Sequence, residues 1–154
     1  FRRVLFLSRL MSVILGGTAS SKLFNNVREK KSLCYYCMAR YQRLKGIMVI
    51  ESGVETANIE AAKEAILAEV EDMKNGKISD FEINSAKLAI INSTLGVADT
   101  VTGLSSWYSS QVMDAEIDTP EEACKKIEAV TKEEIVKAAK KLMLDTIFVL
   151  KAGE

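Results

Sequence analysis

No histidine occurs anywhere in the 154 residues. That absence removes the Ser-His-Asp and Cys-His nucleophile arrangements. It also removes every common catalytic zinc site, since those depend on imidazole ligands. Excess charge of either sign is missing too: 21 Lys and Arg are matched by 21 Asp and Glu. Nothing electrostatic therefore points to nucleic acid or to an acidic membrane surface. Proline occurs once, at Pro120, and no stretch is low in complexity or rich in Gly and Ser. With no linker and no repeat, a single domain over residues 1–154 is expected. Cysteine is sparse and odd in number, at Cys34, Cys37 and Cys124. An odd set in a chain of this length does not suit a secreted disulfide framework, and reduced core or half-buried thiols are expected. Long apolar runs are also absent. The opening FRRVLFLSRLMSVILGG is interrupted by Arg2, Arg3 and Arg9, too short and too charged to span a bilayer. It has no small-residue signal cleavage site, so a cytoplasmic location and no membrane partner are expected. The chain opens on Phe1 and reaches its first Met only at Met11, which reads as a fragment or processed product of a longer protein.

What is present is enough apolar sequence for a core, 48% hydrophobic against 27% charged. Leu7, Leu10, Met11, Ile14 and Leu15 recur at helical spacing over residues 2–15, and Gly16-Gly17 stops that helix. Ser20 or Ser21 is placed to cap a second helix through about Lys31, with Leu23, Phe24 and Val27 on its face. Residues 34–44 and 46–54 are rich in aromatic, β-branched and apolar side chains and flank Lys45-Gly46, the pattern of a β-hairpin. A long helix over 57–75 carries Ile59, Ala62, Ile66, Val70 and Met73 as one stripe and ends at Asn75-Gly76. Three capping boxes start later helices: Ser79 with Glu82, Thr119 with Glu122, and Thr131 with Glu134. Pro120 takes the first helical position after Thr119. A helix is also expected over about 101–113, and a last strand from Thr146 in TIFVLKAG. Strands and helices are segregated. This predicts an α+β fold, a two-layer sandwich of mostly antiparallel sheet with helices on one face. Its sheet is thin, and a further strand before Phe1 is expected to complete it.

The stretch Arg28-Glu29-Lys30-Lys31-Ser32-Leu33-Cys34-Tyr35 holds the chemistry. Arg28 ends a helix and Tyr35 opens a strand after a short connection. A guanidinium beside a phenol makes a donor pair for a carbonyl, a carboxylate or a developing oxyanion. The same spacing also suits an Arg paired with a neighbouring carboxylate and a Tyr that only packs. Cys34-x-x-Cys37 invites a redox or metal reading. On a strand, however, residues three apart point to opposite faces, so the two thiols are expected to diverge. Glu60, Glu64, Glu69, Glu71 and Asp72 read as a solvated helix face with pairs of the Glu60–Lys63 kind. Trp107 and Tyr108 read as core or interface rather than a ligand box.

From Leu15 to Tyr36, LGGTASSKLFNNVREKKSLCYY resembles the signature of the second domain of pitrilysin/insulinase-type metallopeptidases. The matching pieces are the Gly pair, the small polar run before Leu23-Phe24, the Arg28-Glu29 pair and the Tyr seven residues after Arg28. GIMVIESGVETANIEAAKEAI and IEAVTKEEIVKAAKKLM resemble that domain's later segments, so the likeness runs over nearly the whole chain. The position before the Tyr, often Gly or Ala in that family, is Cys34 here. The resemblance implies that the H-x-x-E-H zinc motif sits in a separate, homologous amino-terminal domain that pairs with this one around a peptide. It assigns Arg28 and Tyr35 to the substrate backbone, with Tyr36 on the opposite face of the strand, and it puts no metal ligand and no catalytic residue in this chain. Alone, the chain is expected to have no peptidase activity. Two functions are compatible with it: the substrate-binding half of a zinc-dependent metalloendopeptidase, or an inactive family member serving as a peptide-binding or scaffold subunit. A surface meant for the other half also leads us to expect self-association into a homo-oligomer.

Overall fold

The computed structural model describes residues 2–112 and 116–151. The first helix, α1 (Arg2–Gly16), is the hub of the fold. Its apolar stripe buries Leu10, Met11, Ile14 and Leu15 almost completely. One side of it lies against strand β1 (Tyr36–Gln42), which pairs antiparallel with β2 (Ile47–Gly53). Its other contacts are with α2 (Ile59–Lys74), α3 (Asp80–Leu95), α5 (Pro120–Glu128) and α6 (Lys132–Ala139). A shorter helix, α4 (Val101–Ser109), follows α3. The architecture is α+β. On β1 the side chains alternate: Cys37 and Ala39 go into the core, while Tyr36, Met38 and Arg40 stay exposed.

Gly16 is where helix and sheet come closest. A Cβ there would fall inside contact distance of the Ala39 amide nitrogen and 2.9 Å from the Met38 carbonyl carbon. Only a residue without a side chain lets the end of α1 lie on β1. The three expected capping boxes are all formed, by Ser79 with Glu82, Thr119 with Glu122 and Thr131 with Glu134. The end of α2 is a Schellman closure: the Gly76 N–H donates to Met73 O, the Lys77 N–H to Asp72 O, and Gly76 takes φ +77°. In the hairpin, Gly46 at φ +67° closes the turn on Gln42 O.

Several expectations need correction. The second helix, expected through about Lys31, is the π-helix Leu23–Glu29, in which Lys30 N–H reaches back five residues to Asn25 O. No serine caps it: its N-cap is Lys22, already in helical backbone geometry, and the Ser21 hydroxyl is buried without a hydrogen-bond partner among the described residues. The buried line of α2 is Ala62, Ala65, Glu69 and Met73, a turn of the stripe that leaves Ile66 and Val70 only partly covered. Glu69, expected on the solvated face, is buried. There it accepts from Asn26 Nδ2 at 2.9 Å and lies 3.9 Å from Lys22 Nζ. Its partners come from the π-helix, which periodicity within α2 cannot reveal. The helix expected over 101–113 ends at Ser109, with Met113 outside the described residues.

The expected last strand does not form over Thr146–Leu150. Strand propensity needs a neighbour to complete a ladder. Among the described residues the hairpin strands pair only with each other. Phe148 is left 83% exposed. Ala152 and Gly153 of the same expected strand lie outside the described residues.

Candidate functional site

The connection between the π-helix and β1 carries the candidate site. Ser32 adopts φ +51°, a left-handed turn that Ser tolerates better than bulky residues do. It redirects the chain so that Leu33 N–H returns to Val27 O. A bend at Tyr35 then leads into β1, with the Tyr35 N–H bonded to Gly53 O at 2.8 Å. Arg28 and Tyr35 are thereby brought together. The Arg28 Nε–H donates to the Tyr35 carbonyl at 2.9 Å. Its guanidinium lies 4.6 Å from the centre of the Phe24 ring, a cation–π contact, and its Nη1 is 3.3 Å from Glu29. Both side chains are open to solvent, Arg28 by 38% and Tyr35 by 67%.

The Tyr35 hydroxyl donates to Glu55 Oε1 at 2.8 Å. That bond, with the nearby carboxylate charge, holds the phenol above its ordinary pKa, because loss of the proton would set two anions side by side. With its proton given to Glu55, the phenol oxygen keeps lone pairs that can accept from a backbone N–H. Arg28 has five N–H donors in all, and its contacts with Tyr35 and Glu29 leave others to meet a backbone carbonyl. The corner can therefore offer one donor and one acceptor to an extended chain. Sequence reasoning did not find Glu55, which lies twenty residues from Tyr35. Phe24 was legible in principle, four residues before Arg28 on the same helix.

Tyr36, the first residue of β1, is on its exposed face. Its ring covers Gly53, where an added Cβ would sit 2.5 Å from Tyr36 Cε1. Cys34 precedes the bend at Tyr35 and is half-buried, while strand alternation starts only at Tyr36 and turns Cys37 into the core. Cys37 is buried at 6% exposure. Burial pushes its pKa up to about 12, against the opposing help of a Ser52 hydrogen bond. All three cysteines are free thiols. Glu60 and Lys63 pair at 2.7 Å, as expected for a solvated face. Trp107 is half-buried, its Nε1–H donating to Asp118 O at 2.9 Å.

Among the described residues, no group of three or more His, Cys, Asp and Glu side chains is arranged to hold a metal ion. The described side chains therefore offer no ligand set for zinc. No helix among the described residues is long and apolar enough to cross a membrane.

An α+β domain with a helix-to-hairpin junction is the class that the fold and the corner define. Residues 5–90 match the family model of the peptidase M16 inactive domain. The chain belongs to that family. It is 42% identical over 142 residues to a Bacillus subtilis (strain 168) protein described as "Probable inactive metalloprotease YmfF", covering 92% of this chain and 33% of the relative. A crystal structure of a conserved protein from Enterococcus faecalis V583 superposes with a TM-score of 0.83 at 33% identity, over 89% of this chain and 32% of that one. A protease structure from Helicobacter pylori superposes at 0.80 with 17% identity, over 92% of this chain and 35% of that one, a likeness of fold. The chain thus spans about a third of the length of these relatives.

Proposed function

We propose that this domain is the non-zinc half of a two-domain M16 assembly and that it grips a polypeptide backbone through Arg28 and Tyr35. The observation that carries the reading is the junction at which Arg28 Nε binds the Tyr35 carbonyl while both side chains stay open to solvent. A guanidinium donor and a phenol acceptor at one corner suit the alternating C=O and N–H groups of an extended peptide. The partner is a homologous amino-terminal domain, fused or separate, which would supply any zinc.

A second reading is favoured by the description of the 42%-identical relative as inactive. In it the parent protein also lacks a working zinc site, and the domain binds peptide or scaffolds a partner without cleavage. Presence or absence of H-x-x-E-H in the amino-terminal domain separates the two readings.

Peptide affinity, measured by calorimetry on the domain joined to its other half, tests the grip common to both. Arg28→Ala and Tyr35→Phe are each expected to weaken binding roughly tenfold, the order of one lost hydrogen bond to a charged or well-oriented group. Unchanged affinity in both variants removes the assignment. Where the parent is active, the same variants lower peptide turnover without changing its zinc content.

A further inference from the structure

Helix α3 has two apolar faces. One lies inside the fold: Ile83, Ala86 and Ile90 are buried, where α3 packs against α1 and α5. The other is left uncovered among the described residues. Phe81, Leu88 and Leu95 recur at seven-residue spacing, which stacks them along the outer side of the helix. They are 67%, 59% and 45% exposed, with Asn84 and Asn92 exposed between them. An outward helix face normally carries charge, and 27% of this chain is charged. The exposed positions of α3 after Asp80 carry none. Glu82 and Lys87 are its other charged residues, and both are engaged elsewhere. Glu82 closes its capping box with Ser79 and pairs with Lys22 at 3.3 Å. Lys87 Nζ donates to the carbonyls of Glu128 and Val130 at 2.8 and 2.6 Å.

This face is also symmetric in chemistry about its middle. Leu88 is the centre, Asn84 and Asn92 lie four residues to either side, and the apolar Phe81 and Leu95 lie seven. We infer that α3 is the interface of a homodimer, in which two copies pack this face antiparallel about Leu88. A two-fold axis there sets Leu88 against Leu88 of the second copy, Asn84 against Asn92, and Phe81 against Leu95. Side-chain amides that face each other exchange donor and acceptor, and a polar Asn in an apolar seam fixes its register. The charge-free stripe sets no like charges together, so the face complements itself as an isologous interface requires. The seam runs about 21 Å from Phe81 to Leu95, at ~1.5 Å per residue. With one aromatic and two leucines from each copy it removes on the order of 1,000 Å² from water, the lower end of specific interfaces. The dimer is therefore weak and concentration-dependent. It does not rest on the peptide grip at Arg28 and Tyr35 and stands or falls separately.

The test is sedimentation of the chain carrying Phe148→Lys, which removes the exposed tail as a second route to association. That chain is expected to pass from monomer to dimer with rising concentration and to stop there, because a two-fold seam closes on itself. Adding Leu88→Lys or Leu88→Glu puts like charges together on the axis, and each is expected to weaken the dimer about 100-fold. A mixture of those two variants sets Lys against Glu and is expected to recover dimer that neither forms alone. Only a residue that faces its own copy gives that recovery, so the result separates a lost interface from a damaged fold. A Phe148→Lys chain that stays monomeric overturns the inference. So does a dimer indifferent to Leu88→Lys, or a mixture that associates no better than either variant. In the chain joined to its amino-terminal domain, Leu88→Lys is expected to leave the two halves together. Their separation would assign the face to the other half and overturn the homodimer.

Discussion

Glu55 accepts a 2.8 Å hydrogen bond from the Tyr35 hydroxyl, so the end of the hairpin holds the residue that opens it. The bond needs the phenol protonated. The raised pKa means that its contribution to stability is present below the ordinary tyrosine range, about 10, and is lost as pH rises through the folded value. Glu55→Gln is expected to bring the Tyr35 ionisation back toward that range. Ultraviolet difference titration of the variant against the wild type and against Tyr35→Phe isolates this one phenol from the other three. Coincident wild-type and Glu55→Gln curves would show that the carboxylate does not set the Tyr35 pKa.

Gly16 tests the seam between helix and sheet. Its missing side chain is matched to backbone atoms of Met38 and Ala39, which cannot swing aside as a flexible side chain could. Gly16→Ala is expected to destabilise the fold by about 1–3 kcal/mol, the usual cost of overpacking, read as a lower urea midpoint at unchanged slope. An unchanged midpoint means that α1 and β1 can separate at little cost.

Lys22 tests the buried charge cluster. Its ammonium is 3.3 Å from Glu82 and 3.9 Å from Glu69, with all three side chains largely buried. Lys22→Met leaves two neighbouring carboxylates without their cation and is expected to cost about 3–5 kcal/mol. Loss of far less stability in chemical denaturation would mean that water reaches the cluster.

The uncovered tail tests self-association. Phe148 and Leu150 are highly exposed in a β-branched segment that joins no sheet among the described residues, a surface liable to meet another copy. Sedimentation is expected to show mass rising with concentration and to show less of it in Phe148→Lys. A monomer at every concentration dismisses the expected oligomer.

Local rules made much of this fold legible. Each capping box is a three-residue motif whose bonds form within one helical turn, so Ser79, Thr119 and Thr131 could be assigned without any tertiary information. The hairpin was legible from its apolar runs and its Lys45-Gly46 turn. The stripe on α2 was less so, because burial there depends on which neighbour approaches, and Lys22 with Asn26 came to Glu69. The tail from Thr146 failed for a related reason: propensity belongs to a segment, whereas a ladder belongs to a pair. Of the site, the proximity of Arg28 and Tyr35 was legible from a seven-residue spacing, but Glu55 was not.

Composition and order alone settled that this chain carries no histidine-based catalysis, that its charge is balanced, and that helices and strands are segregated along it. Those properties depend on which residues are present and on their nearest neighbours in the chain. Only the folded structure decided that Tyr35 is tied to Glu55 and that Glu69 is buried against Lys22. Each of those depends on a bend or a packing contact whose direction is set by several elements at once, and no local pattern of side chains encodes it.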